Sequence, residues 1–426
     1  EQLRHSEFLL ASRLSIGMND DADRVDRVQK LIALEDFYRA HQAGFQDVTG
    51  IAAIEALAGA LQPGEALIEY CIPYHWVHSS YDLLMFVLTP EKLDAIPLDL
   101  SGIPGWKDAT IISADNRQPV AFSLLGNQIC GLRIAIQMGD DAQAQPYLET
   151  LYDLFIQPLK DAGYLPQEYQ RWIVVPHGML HYLPFAALSQ SEGHYLIQDV
   201  ALTVAPSASV WLRLREQQKP PLTSFLGCAN PDLSSQGLPS LPDAEKELNR
   251  ISKMLAPLQC STYKNQEATE EVVRQQAAGK SIIHLATHGD FPEQDAIDLH
   301  SILLTPTAQY DGHLNADEVR KMDLQAARLV VLSICNGGLY RTGPGDEPYG
   351  LMAALLAAGA ENSIGTLWPL DDRIGRLFMT EFYRSLLQHG PAEALRQACL
   401  QFTQDKALLK DWASFILMGS GSPWNN

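Results

Sequence analysis

Between Thr223 and Gly421 the sequence alternates short apolar runs with amphipathic segments, and no other feature restricts the possible folds as much. SFLGCAN reads as a strand and Leu241 to Leu255 as a helix entered near Pro242-Asp243. Ser261 to Lys264 reads as a short strand, and Thr269 to Ala278 as a helix capped by Thr269. Strands separated by single helices pair in parallel through right-handed crossovers, so this region is expected to form an open α/β sheet. Two of its strands are β-branched runs that stop at a reactive side chain and glycine. SIIHLATHGD ends at His288-Gly289, and RLVVLSICNGG ends at Cys335, with Gly337 two residues on. In such a sheet these carboxyl ends face the crevice where ligands bind. After His288, SILLTP and DGHLNADEV predict a β-hairpin laid beside the sheet, followed by a helix from Ala316. Past Cys335 come a Gly/Pro-rich loop, an apolar helix from Leu351 to Ala360, the strand ENSIGTLW, two amphipathic helices and a last strand, SFILMGSG.

The upstream part is organised differently. Glu1 to about Pro63 has apolar positions at helical spacing and reads as a few packed helices. Ala66 to Leu98 is β-rich, and Ser123 to Gly163 helical. RWIVVPHGMLHYLPFAAL then forms a strand ending at His177-Gly178, which repeats the outline of the His288 strand. LIQDVALTVAPSASVWLRL reads as a strand, a break at Pro206, and a helix opened by Ser207 or Ser209. Gln217 to Pro221 is the best linker in the chain. With 426 residues, too many for one ordinary core, three units are expected, at 1–63, 64–216 and 217–426.

The net charge of −20 repels phosphate backbones, so nucleic acid is not expected as a partner, whereas a basic protein segment is. Six cysteines without paired or CxxC spacing suggest neither a disulfide framework nor a zinc site, and hence a reducing, cytoplasmic location. No apolar run is long enough for a membrane span. His75 and His78, three apart, lack a third metal ligand, so neither metal nor cofactor is expected. The chain begins at Glu1, which fits a part of a longer protein.

The chemistry expected at the two strand ends is that of a thiol nucleophile. A free cysteine, with a pKa of roughly 8.5, needs a neighbouring base, and His288 supplies one. Gly289 and Gly337 allow close backbone approach, and the amides of Gly289 and Cys335 are natural oxyanion donors. His284, four residues before His288, falls on the same strand face and reads as a buried supporting residue. His177 and Cys228 repeat the pairing at a similar separation, but Cys228 belongs to the first strand of the later sheet, so a structural role is favoured for both. Asp346 and Glu347 after Cys335, and Asp371 and Asp372 after Trp368, place carboxylates near the same edge. With Trp368 they are candidates for binding a substrate, the carboxylates taking a lysine or arginine side chain, and Asp346 and Asp372 are alternatively candidates for capping the helices that follow.

HLATHG, VVLSICNGG, GDEPYGLMAALLAAGAENSIGTLWPLDD and AEALRQA together resemble the CHAT family, caspase-like cysteine proteases often fused to tetratricopeptide repeats. VPHGMLHYLPFAAL and SASVW are similar to that family's upstream region, so the resemblance runs from about Pro63 to the end. It implies a caspase-like parallel-dominated sheet flanked by helices, with His288 as general base and Cys335 as nucleophile. It also implies that 64–216 is a related, degenerate half without catalysis, and that 1–63 ends a helical-repeat sensor region. By the same resemblance the protein is a regulated endopeptidase of bacterial signalling or defence, with a particular protein substrate and an activating partner or sensor domain. The family's usual Glu-Thr-Gly after the cysteine is replaced here by Asn336-Gly337-Gly338, which leaves open a fold retained only as a binding scaffold.

Overall fold

The structure, a computed structural model, describes residues 53–71, 83–104, 120–291, 300–334, 337–338, 341–342 and 348–424. The expectations resting on residues 1–52, His75, His78, Cys335, Asn336, Asp346 and Glu347 lie outside the described residues.

Helix α1 (Ile54–Ala60) leads into an antiparallel meander, β1 (Glu65–Cys71), β2 (Leu83–Leu88) and β3 (Leu93–Leu98). Helices α2 (Val120–Met138) and α3 (Asp141–Phe155) follow, then β4 (Arg171–Val175) and β5 (Ala201–Val204), which continue in parallel from β1. Pro206 breaks the chain as expected, and Ser207 caps α4 (Ala208–Glu216) by accepting from the Val210 amide.

The later rhythm is as the sequence predicts. It runs β6 (Ser224–Pro231), α5 (Pro242–Met254), β7 (Gln259–Asn265), α6 (Glu270–Gln276) and β8 (Ile282–Ala286). Thr269 caps α6 through the Val272 amide. The expected hairpin is β10 (Ser301–Leu303) with β11 (His313–Asn315), and β9 (Gly289–Asp290) pairs with β10 to complete a separate three-stranded sheet. Then come α7 (Ala316–Arg320), β12 (Leu329–Ser333), the short ladder of β13 (Arg341–Thr342) with β14 (Pro348–Tyr349), and α8 (Leu351–Ala357). The chain ends through β15 (Asn362–Thr366), α9 (Asp372–His389), α10 (Pro391–Gln404) and β16 (Phe415–Gly419).

Eleven of these strands form one sheet in the order β3-β2-β1-β4-β5-β16-β15-β12-β8-β6-β7. The junction is β16, which is parallel to β5 but antiparallel to β15. The strands on its two sides that follow the main parallel direction therefore run in opposite senses. The carboxyl ends of β4 and β8, where His177 and His288 follow, open onto opposite edges of the sheet. Within 217–426 the chain goes from β6 out to β7 and then reverses through β8, β12 and β15, which puts a topological switch point between β6 and β8.

Because both faces of these strands are covered, they read as near-continuous apolar runs. One face buries Phe225, Ile282, Ala286, Val331 and Ile364 against α5, α9 and α10, in a cluster that also takes in Ile68, Trp172 and helices α2 and α3. The core is thus shared between 64–216 and 217–426. The other face buries Leu226, Cys228, Ile283, Leu285, Val330 and Leu332 under α6, α7 and α8. Leu67, Ile173 and Val175 meet α1 and α4. No helix among the described residues is long and apolar enough to cross a membrane.

Candidate active site

The alternation of β8 decides which side chains reach the site. Ile282, His284 and Ala286 share the α5/α9 face, and His288 lies two residues past the end of the strand. His284 is fully buried and fully partnered. Its Nε2 lies 2.8 Å from Glu247 Oε1 on α5, and its Nδ1 lies 3.1 Å from the Tyr383 hydroxyl on α9. A carboxylate only accepts, so Nε2 carries the proton and Nδ1 accepts from Tyr383. Burial, with Glu247 adding to it, pushes the Tyr383 phenol well above its ordinary range and keeps it a donor. His284 is therefore the buried supporting residue that its position on the strand suggests.

His288 is half-buried, and its Nε2 donates to the carbonyl of Pro239 over 2.8 Å. In the neutral ring that bond places the proton on Nε2 and leaves the lone pair on Nδ1. The backbone is fixed too, since the Leu303 amide donates to the His288 carbonyl over 3.1 Å, tying the residue to β10. Bonded positions alternate in an antiparallel ladder, so the Gly289 amide turns away from β10.

The neighbouring strand ends with Ser333, which pairs with Ala286 in parallel register. Past it, Gly337 and Gly338 pack on β15. The Gly338 amide donates to the Thr366 carbonyl over 2.9 Å, and a Cβ on Gly338 would stand 2.9 Å from the Thr366 nitrogen. A Cβ on Gly365 would in turn stand 2.6 Å from the Gly338 nitrogen. The same Cβ would stand 2.7 Å from the Gly337 carbonyl carbon, so Gly337, Gly338 and Gly365 together let two backbone segments of this chain approach closely.

Of the acidic candidates, Asp371 is exposed and caps α9 through the Arg373 amide at 3.0 Å. Asp372 does not cap the helix that follows it; its Oδ2 accepts from the Asp243 amide on α5, at 2.9 Å. Burial raises the Asp372 pKa, and the carboxylates of Asp243, Glu247 and Asp371 push the same way. Trp368 is a core residue, 1% exposed, with its Nε1 donating to the Lys410 carbonyl at 2.9 Å. Cys228 is buried under the sheet and its thiol is pushed up to about 12 by burial, which suits an inert side chain. Among the described residues no cluster of three or more His, Cys, Asp or Glu side chains is arranged to hold a metal ion.

Sequence reasoning missed Pro239 and Asn230. Asn230, the last residue but one of β6, is left-handed, φ 49°, at an irregularity in the β6–β7 register. The only trace of it in the sequence is an asparagine before a proline, a turn signal.

A large, mostly parallel sheet flanked by helices, with a switch point at β6/β8, defines a caspase-like α/β fold. The CHAT domain profile matches residues 145–420, and the chain belongs to the CHAT domain family. It is similar to human tetratricopeptide repeat protein 28, with 27% identity over 339 residues. That match covers 66% of this chain and 13% of the relative, so the chain spans about an eighth of the human protein's length. Among solved structures it is similar to the separase–securin complex of Saccharomyces cerevisiae, with a TM-score of 0.50 and 13% identity, covering 86% of this chain and 30% of that one. It is also similar to the Arg specific cysteine proteinase gingipain R, with a TM-score of 0.45 and 10% identity, covering 71% and 76% of the two chains.

Proposed function

We propose that the chain is a cysteine endopeptidase in which His288 is the base and Cys335 the nucleophile. The observation that carries this reading is the register of β8 on β12. Ala286 pairs with Ser333, an offset of 47 residues, and Cys335 follows His288 in the sequence by the same 47. Neighbouring parallel strands stand about 4.8 Å apart. In this reading the thiol of Cys335 gives its proton to Nδ1 of His288, the nitrogen left basic by the Pro239 bond, and the sulfur adds to the scissile carbonyl carbon. The amides of Gly289 and Cys335 take the oxyanion. On collapse the C–N bond breaks and the imidazolium returns its proton to the leaving amine. Water then hydrolyses the thioester and regenerates the thiol.

The acidic surroundings support a substrate with lysine or arginine beside the cleaved bond, held by the exposed Asp371 with Asp372, Asp346 and Glu347 as further candidates; Trp368 braces the loop from within the core. A particular protein is the substrate in this reading, and an activating partner or sensor region controls access. The test is cleavage of a peptide library with basic residues at each position, with and without candidate partners. Cleavage retained by Cys335→Ala or His288→Ala would sink the proposal.

A further inference from the structure

The base needs its ring held, and the carbonyl that holds it belongs to an exposed turn. Pro239 and Ser240 are both exposed, so packing does little to fix the orientation of the Pro239 carbonyl. What grips the turn is Asn230, 4% exposed at the carboxyl end of β6. Its Oδ1 accepts from the Leu241 amide at 2.6 Å and from the Ser240 hydroxyl at 3.1 Å. Its Nδ2 donates to Glu245 Oε1 at 2.7 Å and to Asn265 Oδ1 at 3.1 Å. Two donors and two acceptors is the full capacity of an asparagine side chain, and each end faces groups of the right kind, so the amide has one orientation. Aspartate in its place would set a carboxylate against Glu245. The backbone at φ 49° is one that asparagine tolerates better than other residues with a side chain, and the irregularity in the β6–β7 register beside it is the device that re-aims side chains at sheet edges.

We infer that Asn230 is a positioning residue for the base: it fixes the Ser240-Leu241 turn, which fixes the Pro239 carbonyl, which selects the His288 tautomer with Nδ1 unprotonated. The inference rests on the proposed endopeptidase reading only for its kinetic consequence, because the tautomer is a property of the resting protein. Misplacing a catalytic group by about 1 Å costs up to a hundredfold in rate.

The test uses the whole chain labelled with 15N in the histidine ring. In wild type at neutral pH the His288 signals, assigned by their loss in His288→Gln, are expected to show a protonated Nε2 and an unprotonated Nδ1. Asn230→Gly suits the left-handed backbone while removing the grip, and is expected to give a mixture of tautomers with kcat lowered at least tenfold and KM within twofold. Ser240→Ala, on the surface and safe for folding, is expected to move the same signals part of the way, with kcat down about twofold. Unchanged His288 signals in both variants overturn the inference, whatever happens to the melting temperature. A wild type that cleaves no peptide with or without candidate partners, while the variants show the tautomer shift, overturns the endopeptidase reading and leaves the positioning role standing.

Discussion

Two strand ends in this molecule carry the same His-Gly pair, and they serve different ends. Each is followed by a parallel neighbour: β4 by β5 and β8 by β12. After β8, His288 stays half-exposed, tied to a hairpin on one side and to the Pro239 carbonyl on the other. After β4, His177 is buried, and Gly178 turns the chain at φ 56° into a 3-10 helix, Gly178–Tyr182. The register sharpens the contrast. Val174 pairs with Val204, an offset of 30, so the position that answers to Cys335 in the first unit is Ser207, 30 residues after His177. Its hydroxyl accepts from the Val210 amide and starts α4. One framework thus presents a half-exposed histidine with a cysteine downstream in the sequence, while the other buries the histidine and commits the hydroxyl to a helix cap. A His-Gly at a strand end says only that the chain turns there; burial and the next strand decide whether chemistry is available.

The comparison breaks most plainly at the level of rate. His288→Ala and Cys335→Ala are each expected to lower kcat/KM for a basic peptide about a millionfold, the scale seen when the nucleophile or the base of such a unit is removed. His177→Ala is expected to leave kcat/KM within twofold and to lower the melting temperature. Steady-state cleavage and thermal melts of the three variants separate the strand ends, and a rate loss in His177→Ala comparable to that of His288→Ala would falsify the assignment of the first unit to a non-catalytic role.

The next largest effect lies beneath the strand that ends before His288. Glu247→Leu leaves His284 buried with its Nε2 proton unpartnered, a loss of about 2 kcal/mol or more in denaturant titrations. Glu247→Gln, which keeps an acceptor of the same shape, is expected to recover at least half of it.

These strand ends were legible because periodicity and punctuation are local. The apolar runs into His288 and Cys335, the caps at Ser207 and Thr269 and the hairpin after His288 all follow from neighbours within a few residues. Four things were not legible. The two units share one sheet because β16 reverses direction against β15, a choice made between strands far apart in sequence. Glu247, His284 and Tyr383 meet from three elements, and nothing in any one segment announces the other two. Asp372 reads as a cap for its own helix, yet it caps α5, because α9 packs alongside α5 and brings the two helix starts together. Trp368 reads as a site residue from its place after a strand, and is instead core, since the carbonyl of Lys410 satisfies its only polar atom.

Smaller effects sharpen the contrast from the first unit. Ser207→Ala removes the α4 cap and is expected to cost about 1 kcal/mol, with peptide cleavage unchanged. Ser207→Cys is expected to gain no thiol reactivity toward a substrate-like electrophile under conditions that label Cys335, because His177, the histidine placed after β4 as His288 is after β8, is buried.

The smallest effect is a pH dependence at Asp372. Burial raises its pKa in the folded chain, with Asp243, Glu247 and Asp371 reinforcing the shift. The folded state therefore holds the proton more tightly than the unfolded one. Stability from this group is greatest at acid pH and declines as pH rises from the ordinary carboxylate range through the raised value. Asp372→Asn keeps an oxygen for the Asp243 amide and removes the charge. It is expected to raise the melting temperature at pH 7 by about one degree and to change nothing near pH 3, where the wild-type carboxyl is already protonated. If the same carboxylate also holds a basic substrate side chain, the variant gains stability and loses affinity together: KM for a basic peptide rises while KM for a neutral peptide does not. A stabilisation that persists at acid pH would instead trace to packing around the Asp243 amide, and the charge at Asp372 would then have no part in the balance between stability and recognition.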